Sequence, residues 1–404
     1  MPPFHDVRGS GFATRTPVAD VLALLDRRTT PLTPEPVPSA AAAGRILAAG
    51  VTSAVDVPAF PRCMMDGYAV RAGDAGARRV VGAAYPGRPF AGLVAAGEAV
   101  RVTTGAPLPP GADAVLVVEQ AETRGDVMTP RGAVAAGKHV GRVGEDVAAG
   151  REVLPAGRVL RPQDVGLLAS IGVGTVAVVR RPRVAILVTG DELLPPGSVP
   201  DGVRIVDSNS PMLAALAARD GGTCEPARYL PDHFETIRDA IRDAPADVVL
   251  VSGGTSVGTE DHAPRAVAAA GELAVHGVGL RPAGPAGVGF VGGRPVVLLP
   301  GNPVSCLCAY DLFAGRAIRR LGGRPADLPY RSAILPLAAG IVSAVGRVDY
   351  VRVAVANGAA TPLAGGASNL SGAVVADGFT LVPADRADLA AGEPVRVWRY
   401  DESG

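Results

Sequence analysis

The spacing of apolar positions changes character several times along this chain, and each change predicts a different kind of element. Val18, Val21, Leu22 and Leu25 recur at helical spacing behind Thr16-Pro17, which reads as an N-cap followed by a first-turn proline. A proline-rich link, TTPLTPEPVPS, leads to a second predicted short helix capped by Ser39 with the body AAAAGRILA. From Val51 to about Val147 the pattern becomes short β-branched runs broken by glycine and proline (YAVRAG, AVRVTTG, DAVLVVEQ), the signature of a mostly β module. The following segment, VLPAGRVL and VGLLASIGVGTVAVV, fits neither neighbour and reads as a return to the N-terminal helices, which makes the β module an insertion.

The strongest pattern comes next. RVAILVTG, ADVVLVSGG and PVVLLPGNP hold continuous apolar runs of strand length, alternating with the helical stretches PMLAALAARDGG, FETIRDAIRDA, APRAVAAAGE and CLCAYDLFAGRAIRRLGG. Strands buried on both faces and separated by helices predict a parallel sheet in a layered α/β domain, where ligands bind beyond the carboxyl ends of the strands. Beyond that domain short strands return, FTLVPADR and PVRVWRY among them, predicting a small β-barrel or sandwich. The expected boundaries are 1–50 with 149–180, an inserted 51–148, the α/β domain 181–327 and a C-terminal β domain 328–404.

Composition narrows the function classes. A length of 404 residues implies several domains, and a hydrophobic fraction of 48% with positive mean hydropathy implies folded cores. Lys plus Arg and Asp plus Glu balance at 39 each, so no global field favours nucleic acid, and an anionic ligand must be met by local groups. Cys63, Cys224, Cys306 and Cys308 suggest neither a zinc site nor a disulfide framework. With no apolar h-region and no run of about 18 apolar residues, the expectation is a cytoplasmic protein without a membrane span. Lys138 is the only lysine, so nearly every positive charge is arginine.

Each of the three strong strands ends in an unusual loop. The first enters TGDELLPPG with Asp191 and Glu192, the second GGTSVGTEDH, the third PGNPVS ahead of a helix. Glycine lets successive backbone N–H groups turn onto an anion, so Gly253, Gly254, Ser256, Gly258, Gly301, Asn302 and Ser305 form candidate phosphate or oxyanion cradles. Carboxylates beside such a cradle repel the ligand unless a divalent cation intervenes, and Asp191, Glu192, Glu260 and Asp261 are oxygen ligands suited to Mg²⁺. Turn and helix capping is the alternative role for each acid. GTSVG also matches the nucleophile elbow, with Ser256, Asp261 and His262 or His276 as a triad, but the strand stops near Ser252 and no helix starts until about Pro264. IGVGTV follows no strand-to-helix pattern, which argues against a dinucleotide site; His5, His139 and His233 fall in no cluster.

MMDGYAV, TTGAPLPPGADAV, GEDV, TGDEL, SGGTSVGTED, LLPGNPVS, GRVDYVRV and SNLSGAVVADG, in that order, resemble the molybdopterin molybdenumtransferase family of the MoeA type across essentially the whole chain. The resemblance implies a two-part domain I, an inserted β domain II, an α/β molybdopterin-binding domain III and a β-barrel domain IV. It also implies a homodimer in which domain II of one chain helps complete the cleft of the other. Molybdopterin adenylyltransferase and cofactor-accepting enzymes are the implied protein partners. The implied reaction inserts molybdate into adenylylated molybdopterin with Mg²⁺ and releases AMP. Catalytic roles would fall to Asp66, Thr104, Asp146, Glu192 and Asp261, with Glu192 and Asp261 on the metal. Ligand binding would fall to the glycine loops, Ser256, Arg281, Asn302 and Ser305, with Arg352 and Ser371 closing over the oxyanion.

The chain departs from the family at GLRPAGPAGVG, where two lysines are usual: the aligned positions are Arg281 and Gly284. Losing one charged contact there costs about 1.5 to 3 kcal/mol, and Arg294 is a candidate to compensate. Two other readings follow: a catalytically weakened relative that binds pterin or scaffolds partners, and a Ser256 hydrolase.

Overall fold

A computed structural model describes residues 12 and 14–403, so His5 lies outside the described residues. The chain divides into two units, one of Glu35–Val178 and one that joins the residues up to Pro34 with Val179–Gly404.

The unit Glu35–Val178 contains the mostly β region as a six-stranded sheet in the order Ala114–Val117, Gly67–Val70, Glu98–Val102, Arg78–Ala84, Val127–Pro130, Ala121–Arg124. Gly67–Val70 is buried along its whole length, with Ala69 in one apolar cluster and Tyr68 and Val70 in another. The predicted helix AAAAGRILA does not form. Ser39–Ala41 makes a single 3-10 turn, Gly44 takes φ +76°, and Ile46 and Leu47 are drawn into β-bridges with Val159 and Val178. Long-range pairing and burial of Leu47 with Leu160, Leu168 and Val178 override the helical preference of alanine. Ser39 does not cap a helix; its hydroxyl donates to the Val173 carbonyl at 2.8 Å.

In the other unit the helix Val18–Arg28 forms, with Pro17 rather than Thr16 at the N-cap position. Thr16 is used instead as a bridge: its N–H donates to the Gly277 carbonyl and its carbonyl accepts from Gly279, both at 2.9 Å. The central sheet runs Thr223–Cys224, Arg183–Thr189, Val248–Ser252, Arg294–Leu299, Gly287–Val291, Glu272–His276, with Arg228–Leu230 also paired to Arg183–Thr189. Its strands are parallel as far as Arg294–Leu299, and the last two run antiparallel, an addition the apolar runs did not announce.

Alternation along these strands explains the layers. Ile186, Leu250 and Val297 face one core with Leu213, Ala317 and Ile318; Leu187, Val251 and Val296 face the opposite core with Ile237, Ile241 and Val267. Helices Asn209–Arg219, Pro303–Ala309 and Gly315–Leu321 therefore cover one side, and Phe234–Asp243 and Ala263–Ala270 the other.

The C-terminal sheet orders Leu280–Arg281, Val348–Ala356, Gly378–Val382, Pro394–Ser403 and Tyr330–Pro336, with Ala359–Pro362 paired to Val348–Ala356. A buried polar knot ties it to the helical layer. Asp311, on a π-helical turn (Tyr310–Ala314), accepts from the hydroxyls of Tyr330 and Tyr350, each at 2.9 Å, and from Arg219 at 3.2 Å. Among the described residues no helix is long and apolar enough to cross a membrane.

Candidate functional site

A cleft of about 840 Å³ opens at the carboxyl ends of Arg183–Thr189, Val248–Ser252 and Arg294–Leu299, the edge where a doubly wound sheet binds ligands. The strand-end loops form most of its wall. Thr189, Gly190, Glu192 and Leu193 contribute from the first, Ser252 to Ser256 and Gly258 to Asp261 from the second, and Pro300 to Pro303 from the third.

Gly253 and Gly254 have φ of +93° and +58°, conformations that side chains rarely adopt. A Cβ on Gly253 would collide with the Thr189 carbonyl, and one on Gly254 would lie 2.8 Å from Thr189 Oγ1. Backbone therefore meets backbone here, and Gly253 N–H donates to the Leu299 carbonyl at 3.1 Å, joining the second and third loops. Ser256 lines the cleft. Asp261 accepts from Gly258 N–H at 2.6 Å, so this carboxylate closes its own turn while lining the cleft. Ten residues separate Val248–Ser252 from Ala263–Ala270, and His276 Nε2 pairs with the Thr255 carbonyl at 2.9 Å. Neither feature is the strand-turn-helix geometry of a nucleophile elbow.

Several wall residues carried no motif. Buried Asp207 accepts from the N–H groups of Asn209 and Ser210 at 2.8 and 3.1 Å and from the Tyr229 hydroxyl at 2.8 Å, which anchors the start of the helix Asn209–Arg219 at the cleft. Asn209 Nδ2 donates to Ser252 Oγ at 3.0 Å and to the Gly301 carbonyl at 2.8 Å, bridging two strand-end loops. Its Oδ1 and the Thr189 hydroxyl are buried in the wall without a hydrogen-bond partner. Asp232 and Asp191 bond to one another's N–H groups at 3.3 and 3.4 Å. Burial pushes the Asp232 carboxyl above its ordinary range, and the neighbouring Asp191 and Glu192 carboxylates add to that, against the pull of the Asp191 N–H. VDSNSP did contain the signal of an N-terminal helix cap, but only the fold places it on this edge.

The electrostatics are one-sided. Glu192, Asp207, Asp232, Glu260 and Asp261 line the cleft, and among the described lining residues there is neither lysine nor arginine. No three His, Cys, Asp or Glu side chains among the described residues form a closed metal cage. Such a wall suits a hard cation held by one or two carboxylates with remaining ligands from water and substrate phosphate, the usual mode for Mg²⁺.

The other sequence-predicted residues fall into distinct places. Ser305 is buried in the helix Pro303–Ala309 outside the lining. Asn302 lines the cleft and accepts from the Ser368 hydroxyl at 2.9 Å, which brings a residue of the C-terminal β region into the wall. Arg352 is 4% exposed and donates to the Asn369 carbonyl at 2.9 Å; Ser371 donates to Asn369 Oδ1 at 2.9 Å. Both belong to the support of the loop 365–372, whose Ser368 reaches the cleft. Arg281 is bound to buried Asp349 and donates to the Val342 carbonyl at 3.2 Å. Arg294 does not compensate for Gly284: its guanidinium caps the helix Phe234–Asp243 through the carbonyls of Ile241, Arg242 and Ala244. Asp66, Thr104 and Asp146 belong to the unit Glu35–Val178. There the N–H and hydroxyl of Thr104 donate to Asp66 Oδ1 at 2.6 and 2.9 Å, which lowers the Asp66 carboxyl from its usual range. The Asp146 N–H donates to the Val57 carbonyl at 3.0 Å.

Comparison with known proteins identifies the architecture. Residues 16–172 match the MoeA N-terminal region (domain I and II), 185–320 a probable molybdopterin binding domain, and 335–400 the MoeA C-terminal region (domain IV). A protein of Mycobacterium tuberculosis named molybdopterin molybdenumtransferase 2 is 35% identical, over 94% of this chain and 97% of its own. A molybdopterin molybdenumtransferase of Staphylococcus aureus is 33% identical over 69% of each chain. The crystal structure of a molybdopterin biosynthesis MoeA protein from Pyrococcus horikosii superposes with a TM-score of 0.83 at 30% identity, covering 96% of this chain and 99% of that one.

Proposed function

The chain belongs to the MoeA family of molybdopterin molybdenumtransferases, and from that premise we propose that it inserts molybdate into adenylylated molybdopterin, releasing AMP and molybdenum cofactor. The observation that carries this reading is the cleft, where Gly253, Gly254 and Gly301 share the wall with five carboxylates and no lysine or arginine among the described lining residues. A wall of that kind rejects a bare polyanion and accepts one that arrives with a divalent metal.

Glu192 and Asp261 would hold Mg²⁺, which when bound neutralises phosphate charge and polarises the adenylyl phosphorus. The residues of the chain do the rest. The N–H groups of the glycine loop between Gly253 and Gly258, whose own N–H groups are bonded to Leu299 and Asp261, and the Ser256 hydroxyl bind and orient phosphate or molybdate oxygens. Asn302 and Ser368 close the wall beside Gly301. A water attacks the adenylyl phosphorus, the bond from that phosphorus to the bridging oxygen breaks, and the water's proton passes to a carboxylate of the wall. The proposal assigns Asp66, Thr104 and Asp146 to the same reaction, divides the chain into the four domains expected from sequence, and includes a homodimer.

The test is direct. Purified protein, adenylylated molybdopterin, molybdate and Mg²⁺ are incubated, and AMP and active cofactor are measured; AMP release should require the metal and fall at least tenfold in Glu192→Gln. Release no faster than the uncatalysed rate, where another family member works, would sink the transferase reading. Tight pterin binding in the same sample would then support a binding or scaffold role.

A further inference from the structure

The cleft needs a cation that its own wall does not supply, and the arginines the sequence suggested for it are bonded elsewhere: Arg281 to Asp349, Arg352 to the Asn369 carbonyl, Arg294 to a helix end. We infer that Arg15, delivered by the segment before the first helix, is the anion-binding cation at the Pro285 end of the cleft.

Geometry leads to this residue. The segment around Arg15 is pinned to the edge of the α/β layer, because Thr16 bonds to both Gly277 and Gly279 and the Phe12 ring packs edge-on against His276, with centroids 4.9 Å apart. Gly277 makes room for that ring, since a Cβ there would press into it. His276 in turn holds the Thr255 carbonyl of the glycine loop. With its neighbours fixed in this way, the Arg15 guanidinium comes to rest over Gly284. A Cβ at Gly284 would sit 3.5 Å from Arg15 Cζ and 3.6 and 3.7 Å from the two terminal nitrogens, and beyond its chain neighbours no other heavy atom lies closer. The guanidinium thus occupies the space into which a side chain at 284 would grow. Pro285, the next residue, lines the cleft. Arg15 is exposed, no described carboxylate pairs with it, and its described contact is the Phe12 ring at 6.0 Å from Cζ, which leaves its donors available. A planar guanidinium presents paired N–H groups that match phosphate or molybdate oxygens. Gly284 is the condition for this arrangement, because a long side chain at that position would displace the arginine.

The assignment rests on the proposed anionic substrates, so its test reads binding separately from turnover. Affinity for inorganic pyrophosphate with Mg²⁺ is measured by titration calorimetry in the wild type, Arg15→Gln, Gly284→Lys and the double variant, and AMP release is measured alongside. Arg15→Gln should weaken pyrophosphate binding about tenfold, the low end for a charged hydrogen bond at an exposed group. In the double variant the lysine enters the vacated space and should recover most of that loss, whereas Gly284→Lys alone, with two cations competing for one place, should gain less than twofold. Arg15→Gln within twofold of wild type, or a double variant no better than Arg15→Gln, would overturn the assignment. Absent AMP release together with the tenfold loss and its recovery would refute the transferase reading and support Arg15 as the anion cation.

Discussion

Replacing Arg352 with alanine should loosen a loop rather than strip a ligand from the substrate. Arg352 is 4% exposed; its guanidinium donates to the Asn369 carbonyl at 2.9 Å and fills the space beside Gly365 and Gly372, where a Cβ at 372 would lie 2.8 Å from Nη1. The loop it supports reaches the cleft through two bonds: Val304 N–H to the Ala367 carbonyl at 2.9 Å and Ser368 Oγ to Asn302 Oδ1 at 2.9 Å. Losing a hydrogen bond from a buried charged donor costs about 1.5 to 3 kcal/mol. At about 1.4 kcal/mol per tenfold, the loop should open roughly 10 to 150 times more often. The assay is amide exchange at Val304, read by mass spectrometry: its rate should rise by that factor while amides of Val248–Ser252 keep theirs. AMP release should show a higher KM for the adenylylated substrate with a smaller change in kcat. If Val304 exchanges at the wild-type rate in Arg352→Ala while substrate binding is lost, Arg352 contacts the ligand itself and the positioning argument fails.

Gly253→Ala places a side chain at φ +93° against the Thr189 carbonyl; the backbone alone should cost about 1 to 3 kcal/mol, so both the urea midpoint and pyrophosphate affinity should fall, and wild-type values of both would refute a strained glycine cradle. Asp164, 4% exposed at its side chain and held by two bonds of 2.9 Å from Arg158, has its carboxyl pulled far below the ordinary range by that guanidinium. A depressed folded pKa means this stabilisation is fully present above the unfolded value near 4 and lost as pH falls below it. Asp164→Asn should therefore cost about 2 kcal/mol at pH 7, and its deficit relative to wild type should shrink between pH 4 and 2; a deficit that grows on acidification would reverse the sign of the argument. Cys306 and Cys308 are fully buried, with thiols raised by burial, so iodoacetamide at pH 7.5 should label neither in the folded protein, and rapid labelling of either would show that the helix Pro303–Ala309 opens.

Much of this protein is written locally. RVAILV, DVVLVS and PVVLLP are apolar along most of their length because their strands are buried on both faces, and that property is readable without knowing their neighbours. The glycine loops are also local, since Gly253 and Gly254 follow a strand end and need conformations that few other residues adopt. AAAAGRILA failed for the complementary reason: its helical preference is a fraction of a kcal/mol per residue, and bridges to Val159 and Val178 together with burial of Leu47 outweigh it.

The sequence by itself determined the three parallel strands Arg183–Thr189, Val248–Ser252 and Arg294–Leu299, their loops and the acids they carry, because hydrophobic burial and backbone conformation act within a few residues. Only the tertiary structure decided which groups share the cleft. Ser368 arrives from 66 positions beyond Asn302, and Asn209 ties the second loop to the third. It also decided that Arg352 bonds to Asn369 and Arg281 to Asp349 and Val342. A guanidinium's charge is fixed by its chemistry, but its partner is chosen by the packing of chain segments far apart, and no spacing along the sequence encodes that choice.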